Sequence, residues 1–558
     1  MTSRLTDLLI RSLREDAEVL AIDKPAGVDV GGLPAQATTP GVVELLSTMR
    51  GPGVSLQPIN RLSRYESGIL LLGKTAGTAA RLRAAWKAGR IEQEYVAVVR
   101  GRMAKPTLVL GRAEEKVAVS SRRSSRPPGK RPGGRLDHSQ IDSRATVFRR
   151  PQQSEQRTLV QCRTQAGTTH ALRAQLRSAG LRLLGDRLHD RSPRPAADRE
   201  TCLHLASVRI ALREGQPPVQ LRCPPPRAFA AALAGERDFE RPLLAALARR
   251  LPCLADKDTD SFRLLSGFVE DVPGLAVEKF ADVLVFQVFD PTPKLREALR
   301  PIAQWYRELL GIESVYVKPF VKDRSNKGAD VEDDLHSSRP FLGKPAAEQI
   351  EIKERGARFL IRPYDGFSVG LFLDQRDNRS RIRDLAAGKE VLNLFAYTCG
   401  FSVAAALGSA KHTVSVDVSP KHLEWGKANF AANGIDLNRH LFFKSDARQF
   451  LERAKRQGRT FDVIVLDPPS FAHGRRSKGD FSILTDLPAL VSAAAELLCP
   501  DGVMMVSTNH RKMSLRDLRQ RMAQGLSGRP HEIIATPPLP PDFAMDPDHA
   551  KSVFVRPV

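Results

Sequence analysis

The sequence predicts a multidomain chain of mixed α/β and α+β class, and three observations carry that reading. Its 558 residues are too many for one hydrophobic core and point to three or four domains. Between Val391 and Asp467, apolar runs of strand length end in acidic residues and are separated by small-residue helical stretches, the rhythm of a doubly wound parallel sheet. Between Ser261 and Val317, short strands accompany one amphipathic helix, which suits a small α+β module.

The amino-terminal part carries Asp23-Lys24-Pro25-Ala26-Gly27, then Asn60-Arg61-Leu62-Ser63-Arg64-Tyr65-Glu66-Ser67-Gly68, then Glu94-Tyr95-Val96-Ala97-Val98. Gly167-Thr168-Thr169-His170-Ala171-Leu172-Arg173 follows, with Leu184-Gly185-Asp186 after it. Together these segments resemble the RluA-type pseudouridine synthases. The resemblance implies a mixed β-sheet, RNA-binding domain over residues 1–227, in which Arg61, Tyr95, His170 and Arg173 grip RNA. The family pattern at its centre is H-R-L-D-x-x-T-S-G, whose aspartate is the nucleophile, and this chain has Ser63 there. A hydroxyl is a far weaker nucleophile than a carboxylate at neutral pH unless a base sits beside it. The motif supplies no such base, and Glu66, standing at the family's threonine, is the nearest carboxylate. The expectation is a synthase-like domain kept for binding RNA after its own chemistry was lost.

Within that domain, residues from about 104 to 150 change composition, with Arg122 to Arg150 crowded with Arg, Ser, Pro and Gly. Such a stretch cannot bury enough apolar surface to fold alone, so it is expected to be a mobile basic loop with phosphate as its partner. Residues 228–256 read as a linking helix carrying Arg237, Arg241, Arg249 and Arg250. The module expected at 257–350 opens with a short strand at Ser261–Leu265, crosses a turn at Val272–Val277 and returns as a strand at Val283–Val288. A helix follows from Lys294 to Leu310, apolar through Leu295, Leu299, Ile302 and Trp305, and then a strand at Ser314–Val317. The element order is read as strand, strand, helix, strand.

In the last part, residues 351–558, Val391–Phe395 suits a buried parallel strand, Tyr397-Thr398-Cys399-Gly400 opens a small-residue helix, and Thr413–Val416 is the neighbouring strand, closed by Asp417. An acid about twenty residues after the first βα turn sits where a ribose would present its hydroxyls. The turn lacks G-x-G-x-x-G, so a nucleoside cofactor without pyrophosphate fits better, and S-adenosylmethionine is the common one. A third strand ends at Asp467, and Asp467-Pro468-Pro469-Ser470-Phe471 presents a carboxylate, carbonyls and a ring on a backbone stiffened by two prolines. A flipped base needs such a stacking face and such acceptors.

These motifs, with Phe372-Leu373-Asp374-Gln375-Arg376-Asp377-Asn378-Arg379, resemble the catalytic domain of bacterial large-subunit rRNA methyltransferases, Rossmann-like class I enzymes that use S-adenosylmethionine. The resemblance reaches back to about residue 257. It implies that Asp417 takes the ribose, Asp446 the adenine amino group and Gly400 the methionine side. Phe372, Asp374, Gln375, Arg376, Asn393, Phe395, Thr398 and Asp467 complete the implied cofactor set, and Asp467, Pro468, Pro469, Phe471 and Asn509 the implied reaction site. Methylating carbon 5 of a pyrimidine requires a thiolate, and neither Asp467–Phe471 nor Val506–Lys512 contains a cysteine. A nitrogen needs no covalent help. The run Ser507–Lys512 is similar to that of the guanine-N7 branch, which implies N7 of guanine as the target, with Asn509 and Lys512 as base or phosphate contacts.

With 86 Lys and Arg against 63 Asp and Glu, the net charge of +23 predicts salt-sensitive attraction to polyanions, here ribosomal RNA of the large subunit or a pre-ribosomal particle. The six cysteines show no C-x-x-C pairing and no His at metal spacing, so a reducing cytoplasm and no metal are expected. No uncharged run reaches the length of a membrane span, so no membrane partner is expected. The competing readings are a bifunctional methyltransferase and pseudouridine synthase, a cytosine-C5 methyltransferase, and a non-catalytic ribosome-assembly factor.

Overall fold

A computed structural model of the chain describes residues 10–558 apart from 32–40, 51–54, 111–145, 166–168, 187–200, 214, 237, 290, 321–338, 366–367 and 473–480. The Arg/Ser/Pro-rich stretch after residue 110, together with Gly167, Thr168 and Arg237, lies outside the described residues. The chain forms two compact units, Met1–Leu251 and Pro252–Val558.

The first unit is built on a mixed sheet. Its strands run in the order Ser12–Glu15, Val19–Lys24, Ser67–Gly73, Leu203–Ile210, Glu92–Arg100, Arg157–Thr164, Thr146–Gln153, Thr107–Leu110. Ser67–Gly73 is buried on both faces, as its unbroken apolar run requires, and pairs in parallel with Leu203–Ile210. Gly68 makes that pairing possible: its φ is +111°, and a Cβ there would lie 2.4 Å from the Leu205 carbonyl oxygen. Glu92–Arg100 alternates with a period of two. Tyr95, Ala97 and Val99 enter the main core with Trp86 and Phe148, while Val96 and Val98 pack against Phe229 and Ala232 on the other face.

Two expectations are corrected here. Thr107–Leu110 and Thr146–Gln153 pair with each other, so the span 104–150 is ordered at both ends by a strand ladder. Residues 228–256 are not one continuous helix: among the described residues they form Ala228–Ala234, Glu240–Arg249 and Leu251–Ala255, the first two packed on the first unit. Arg249 donates to the Gly27 carbonyl at 2.6 Å and Arg241 to the Thr201 carbonyl at 2.7 Å, so these arginines brace the fold.

In the second unit the small module is a sheet ordered Ser261–Ser266, Leu275–Phe280, Val283–Phe289, Ser314–Phe320, Leu342–Gly343. Three strands precede its helix, where the sequence reading ordered two. The helix Pro293–Leu310 starts on a Thr292 cap with Pro at its first turn and stops at Gly311 in the left-handed region. Tyr306, not Trp305, continues its buried face. The doubly wound sheet follows in the order His440–Lys444, His412–Asp417, Glu390–Leu394, Phe461–Leu466, Leu498–Thr508, Lys551–Pro557, His531–Ala535. The first five are parallel, and Lys551–Pro557 runs antiparallel to both neighbours.

The boundary expected near residue 350 runs through a shared core. Phe280, Val285 and Tyr316 of the module pack with Ile352, Phe359, Leu371, Phe430 and Phe543. A buried ion pair reinforces it: the Arg376 guanidinium bonds the Asp542 carboxylate and donates to the Ser261 carbonyl, while the second Asp542 oxygen accepts the Arg263 N–H at 2.8 Å. Removing one partner of such a pair strands a buried charge. Asp542→Ala is expected to destabilise the second unit by about 3 to 5 kcal/mol in denaturant titrations. The double variant Arg376→Met, Asp542→Leu should recover the part of that loss due to the stranded charge, while the Arg263 N–H stays unpaired, and equal stability of Asp542→Ala and wild type would refute the role.

Candidate active site

The order of the parallel strands reverses between Glu390–Leu394 and Phe461–Leu466, and the crevice at the carboxyl ends of the strands there is where open α/β sheets hold ligands. A cavity of about 980 Å³ lies at this edge. Its inner rim is the turn after Glu390–Leu394, in which Phe395, Tyr397 and Cys399 all take positive φ, at 59°, 49° and 62°. Non-glycine residues in this region carry strain on the order of 1–3 kcal/mol each and persist only where neighbours over-determine them. The neighbours do so here. Ala396 N–H donates to the Val416 carbonyl at 2.9 Å, Tyr397 N–H to Asp417 Oδ2 at 2.9 Å, and the Thr398 hydroxyl to the Gly370 carbonyl at 2.5 Å. Asp417 is locked in turn by Ser419 N–H on its other oxygen, at 2.8 Å.

The structure brings most of the residues expected from the sequence to this one wall. Phe372, Asp374, Gln375, Phe395, Asp417, Asp446, Asp467, Pro468, Pro469, Phe471 and Asn509 all line the cavity. Four others expected to touch a cofactor stand behind the wall. Arg376 is the buried partner of Asp542. Asn393 points away from the cavity side of its strand and donates to the Ser402 hydroxyl at 2.9 Å. Thr398 is buried against Gly370. A Cβ on Gly400 would meet Leu371 at 3.2 Å and Arg379 at 3.4 Å, so that glycine serves close packing and does not face the ligand space. Lys512 is exposed and outside the lining. The sequence reading singled out none of Tyr397, His422, Ser445, Arg448 and Phe481 as a site residue; all five line the cavity. Their nearness to Asp417 and Asp446 or to the Asp467–Phe471 corner was the available signal.

Electrostatics decide what the cavity can hold. Its lining has four carboxylates, Asp374, Asp417, Asp446 and Asp467, against Arg448 and His422. Asp446 accepts from Arg448 N–H at 3.0 Å and so caps the helix Ala447–Arg456. Asp467 is partly buried and accepts from the Ser507 hydroxyl, which in turn accepts from the Gln375 amide at 3.2 Å; Asn378 holds Gln375 at 2.7 Å. Burial pushes the Asp467 carboxyl above its usual range. Burial, and then the neighbouring Asp467 charge, push Asp374 up to about 7. His549 Nε2 lies 3.6 Å from Asp374, and burial holds that imidazole well below its usual range. Such a wall would repel a pyrophosphate and suits a cationic nucleoside whose hydroxyls and ammonium donate to carboxylates. S-adenosylmethionine has that donor set, and the cavity has room for it. Among the described residues no group of three His, Cys, Asp or Glu could hold a metal.

The first unit has a separate cluster at the position of the family nucleophile. Arg173, nearly inaccessible, bonds Glu66 at 2.5 Å and Asp186 at 2.9 Å and reaches the Ser63 hydroxyl at 3.4 Å. The other Glu66 oxygen accepts the Ser63 N–H at 2.7 Å. Lys24 is fully buried on the Pro25 and Val28 carbonyls, and burial lowers its ammonium to about 7. Arg61 and His170 are exposed. Tyr95 is not available to RNA: it is 3% exposed inside the sheet core, and its hydroxyl donates to Gln93 at 3.0 Å.

Comparison with known proteins agrees with both parts. Residues 333–551 match the family model of S-adenosylmethionine-dependent methyltransferases, and residues 18–178 that of RNA pseudouridylate synthases. The ribosomal RNA large subunit methyltransferase K of Neisseria meningitidis is 41% identical over 173 residues, 31% of this chain and 49% of that protein. Methyltransferase I of Aeromonas salmonicida is 33% identical over 268 residues, 48% of this chain and 65% of that protein. The chain thus spans less than two thirds of either. The ribosomal RNA large subunit methyltransferase of Deinococcus radiodurans is 30% identical over 324 residues, 56% of this chain and 77% of that protein. A methyltransferase solved in complex with SAH is 26% identical, with a TM-score of 0.51 over 65% of this chain and 90% of its own. With the switch-point cavity, its carboxylates and three-quarters of the Deinococcus protein accounted for, the chain belongs to the ribosomal RNA large subunit methyltransferase family.

Proposed function

We propose that the chain is an S-adenosylmethionine-dependent methyltransferase of large-subunit (23S) rRNA, free or in a pre-ribosomal particle, that modifies guanine at N7 and uses its amino-terminal unit to hold RNA. The observation that carries this is the meeting, at one switch point, of four carboxylates and a rigid Asp467–Phe471 corner around a cavity of nucleoside size. When bound, the cofactor supplies an electrophilic methyl group. The protein positions: Asp417 takes the ribose hydroxyls, Asp446 the adenine amino group, and Asp374 with Gln375 the methionine end. Phe471, half exposed at the corner, offers a face for the base, and Asn509, held by the Ser470 hydroxyl at 3.1 Å, an amide for its edge. Lys512 meets phosphate.

Chemistry favours a nitrogen over carbon 5, and the choice of N7 among nitrogens rests on the likeness of Ser507–Lys512 to the guanine-N7 branch. That nitrogen has a lone pair and needs only placement, whereas carbon 5 of a pyrimidine needs a thiolate. No described lining residue is a cysteine, and Cys399, just behind the rim, is buried with its thiol pushed up to about 12 by that burial. Methylation at N7 leaves a cationic base, whose charge the Asp467 and Asp374 carboxylates would offset.

In the first unit the proposal is a domain without isomerase chemistry. The Glu66 carboxylate is committed to Arg173 and the Ser63 N–H, and Arg173 already balances Glu66 and Asp186. A carboxylate so held is poorly placed to attack a base.

Three outcomes test these roles. Wild-type protein with labelled S-adenosylmethionine and rRNA from cells lacking it should place label in 7-methylguanosine, and Asp467→Ala should abolish it; label in 5-methylcytidine would sink the argument from cysteine. Affinity for S-adenosylhomocysteine should depend on pH through Asp374. The neutral acid predominates below about 7. The ligand's ammonium favours the ionised form, so calorimetric affinity should rise with pH toward 7, by up to about ten-fold per unit, and level off above. Asp374→Asn should flatten that profile, and an unchanged profile would remove Asp374 from the role. Wild-type protein should form no pseudouridine in treated rRNA, whereas Ser63→Asp with Glu66→Thr rebuilds the family pattern at both positions; pseudouridine made by wild type would favour the bifunctional reading.

A further inference from the structure

An aromatic row reaches the surface of the small module. The rings of Phe268 and Phe289 are 5.5 Å apart, and Phe289 stacks on Phe320 at 4.9 Å with 21° between planes. Phe268 is 53% exposed. The turn that presents it is rigid. Ser266 N–H donates to the Glu270 carboxylate at 2.7 Å, Val269 N–H to the Ser266 carbonyl at 3.0 Å, and Gly267 N–H to the Leu275 carbonyl at 2.9 Å. A Cβ at Gly267 would lie 2.0 Å from the Leu275 oxygen, so the turn is built around a residue with no side chain. Fixed in this way, the ring cannot fold back into the module, and its apolar area stays in water.

The surroundings indicate what covers it. The Arg511 guanidinium carbon stands 5.9 Å from the Phe268 ring centre, and Asp546 orients the same guanidinium at 2.6 Å. Arg511 follows Asn509, a lining residue of the cavity, by two positions, and both Arg511 and Lys512 are exposed. Of the two acids in the turn, Glu270 is buried against Ser266 N–H and Asp271 is partly exposed. An exposed ring beside exposed cations matches the chemistry of an unpaired nucleotide, with a π-face for the ring and phosphate for the cations.

The geometry points to Phe268, backed by Phe289 and Phe320 and flanked by Arg511, as a stacking platform for an unpaired nucleobase next to the nucleotide that enters the cavity. The partner is single-stranded RNA. The platform rests on the reading of RNA as the substrate, and its geometry specifies unpaired RNA. Phe289 packs against the Phe268 ring and is itself stacked on Phe320, and Arg511 ties the platform to the strand end that carries Asn509.

The test is fluorescence anisotropy with the full chain and a short unstructured RNA, free and annealed to its complement. Phe268→Ala should weaken binding of the single strand by roughly 5- to 150-fold. Phe268→Trp should bind at least as tightly as wild type, and both variants should keep wild-type affinity for S-adenosylhomocysteine. Arg511→Gln should reduce the salt dependence of binding by about one ion. Equal single-strand affinity of Phe268→Ala and wild type would overturn the proposal, as would an equal loss on duplex. Methyl transfer lost only on ribosomal particles, with RNA affinity unchanged, would mark a protein contact and overturn it too. If wild type modifies no RNA while Phe268→Ala still loses single-strand affinity, the platform stands and the methyltransferase reading falls.

Discussion

The guanidinium of Arg379, buried and forked onto both oxygens of Glu354 at 2.6 Å, also donates to the Phe372 carbonyl at 2.8 Å. Three parts of the second unit meet on this side chain: the hairpin Ile350–Glu354 with Ala357–Ile361, the helix Arg376–Leu385, and the segment that brings Phe372, Asp374 and Gln375 to the cavity. A planar fork matched to a carboxylate fixes direction as well as distance, which a lysine would not do. Burial of Asp374 and Asp467 opposes their ionisation, and the Arg379 charge offsets part of that opposition for both. The same contact therefore sets the shape of the wall and moderates its acidity.

The wall uses buried polar groups in a continuous chain. Asp467 is held by Ser507, Ser507 by Gln375, Gln375 by Asn378, and Asn378 by Ser552 at 2.7 Å. The chain crosses three strands of the sheet edge and one helix, so the reaction corner cannot drift without breaking bonds that have no water to replace them. Such preorganisation is what positioning catalysis requires, because an attacking lone pair gains from being held near its target and aligned with it.

The first unit shows the opposite use of a buried cluster. Arg173 carries one positive charge between two carboxylates, with the Lys24 ammonium near enough for Glu66 to raise its affinity for a proton. A third carboxylate at position 63 would add an uncompensated negative charge beside Arg173, Glu66 and Asp186, whose side chains are almost inaccessible to water. Ser63 and Glu66 are in that sense a matched pair: the acid stands three residues further along, where it braces the loop.

Much of this architecture was legible in local sequence. The strands around Val391, Thr413 and Phe461, and the acids Asp417, Asp446 and Asp467 near strand ends, follow from apolar runs and turn residues that act over a few positions. The Asp467–Phe471 corner follows from its two prolines in the same way. Residue facing was harder. Tyr95 sits inside because its strand alternates, and Asn393, one position from Leu394, turns to Ser402. Arg376 reads as a site residue from its motif but pairs with Asp542, 166 positions away. The same holds for the row of Phe268, Phe289 and Phe320 with Arg511, and for the tie of residues 228–249 to the first unit. Periodicity and turn chemistry are properties of neighbouring residues and survive in a bare sequence. Charge pairing, burial of a carboxylate and the exposure of a ring depend on groups far apart in the chain, and these acquire partners only when the fold brings them within a few ångströms.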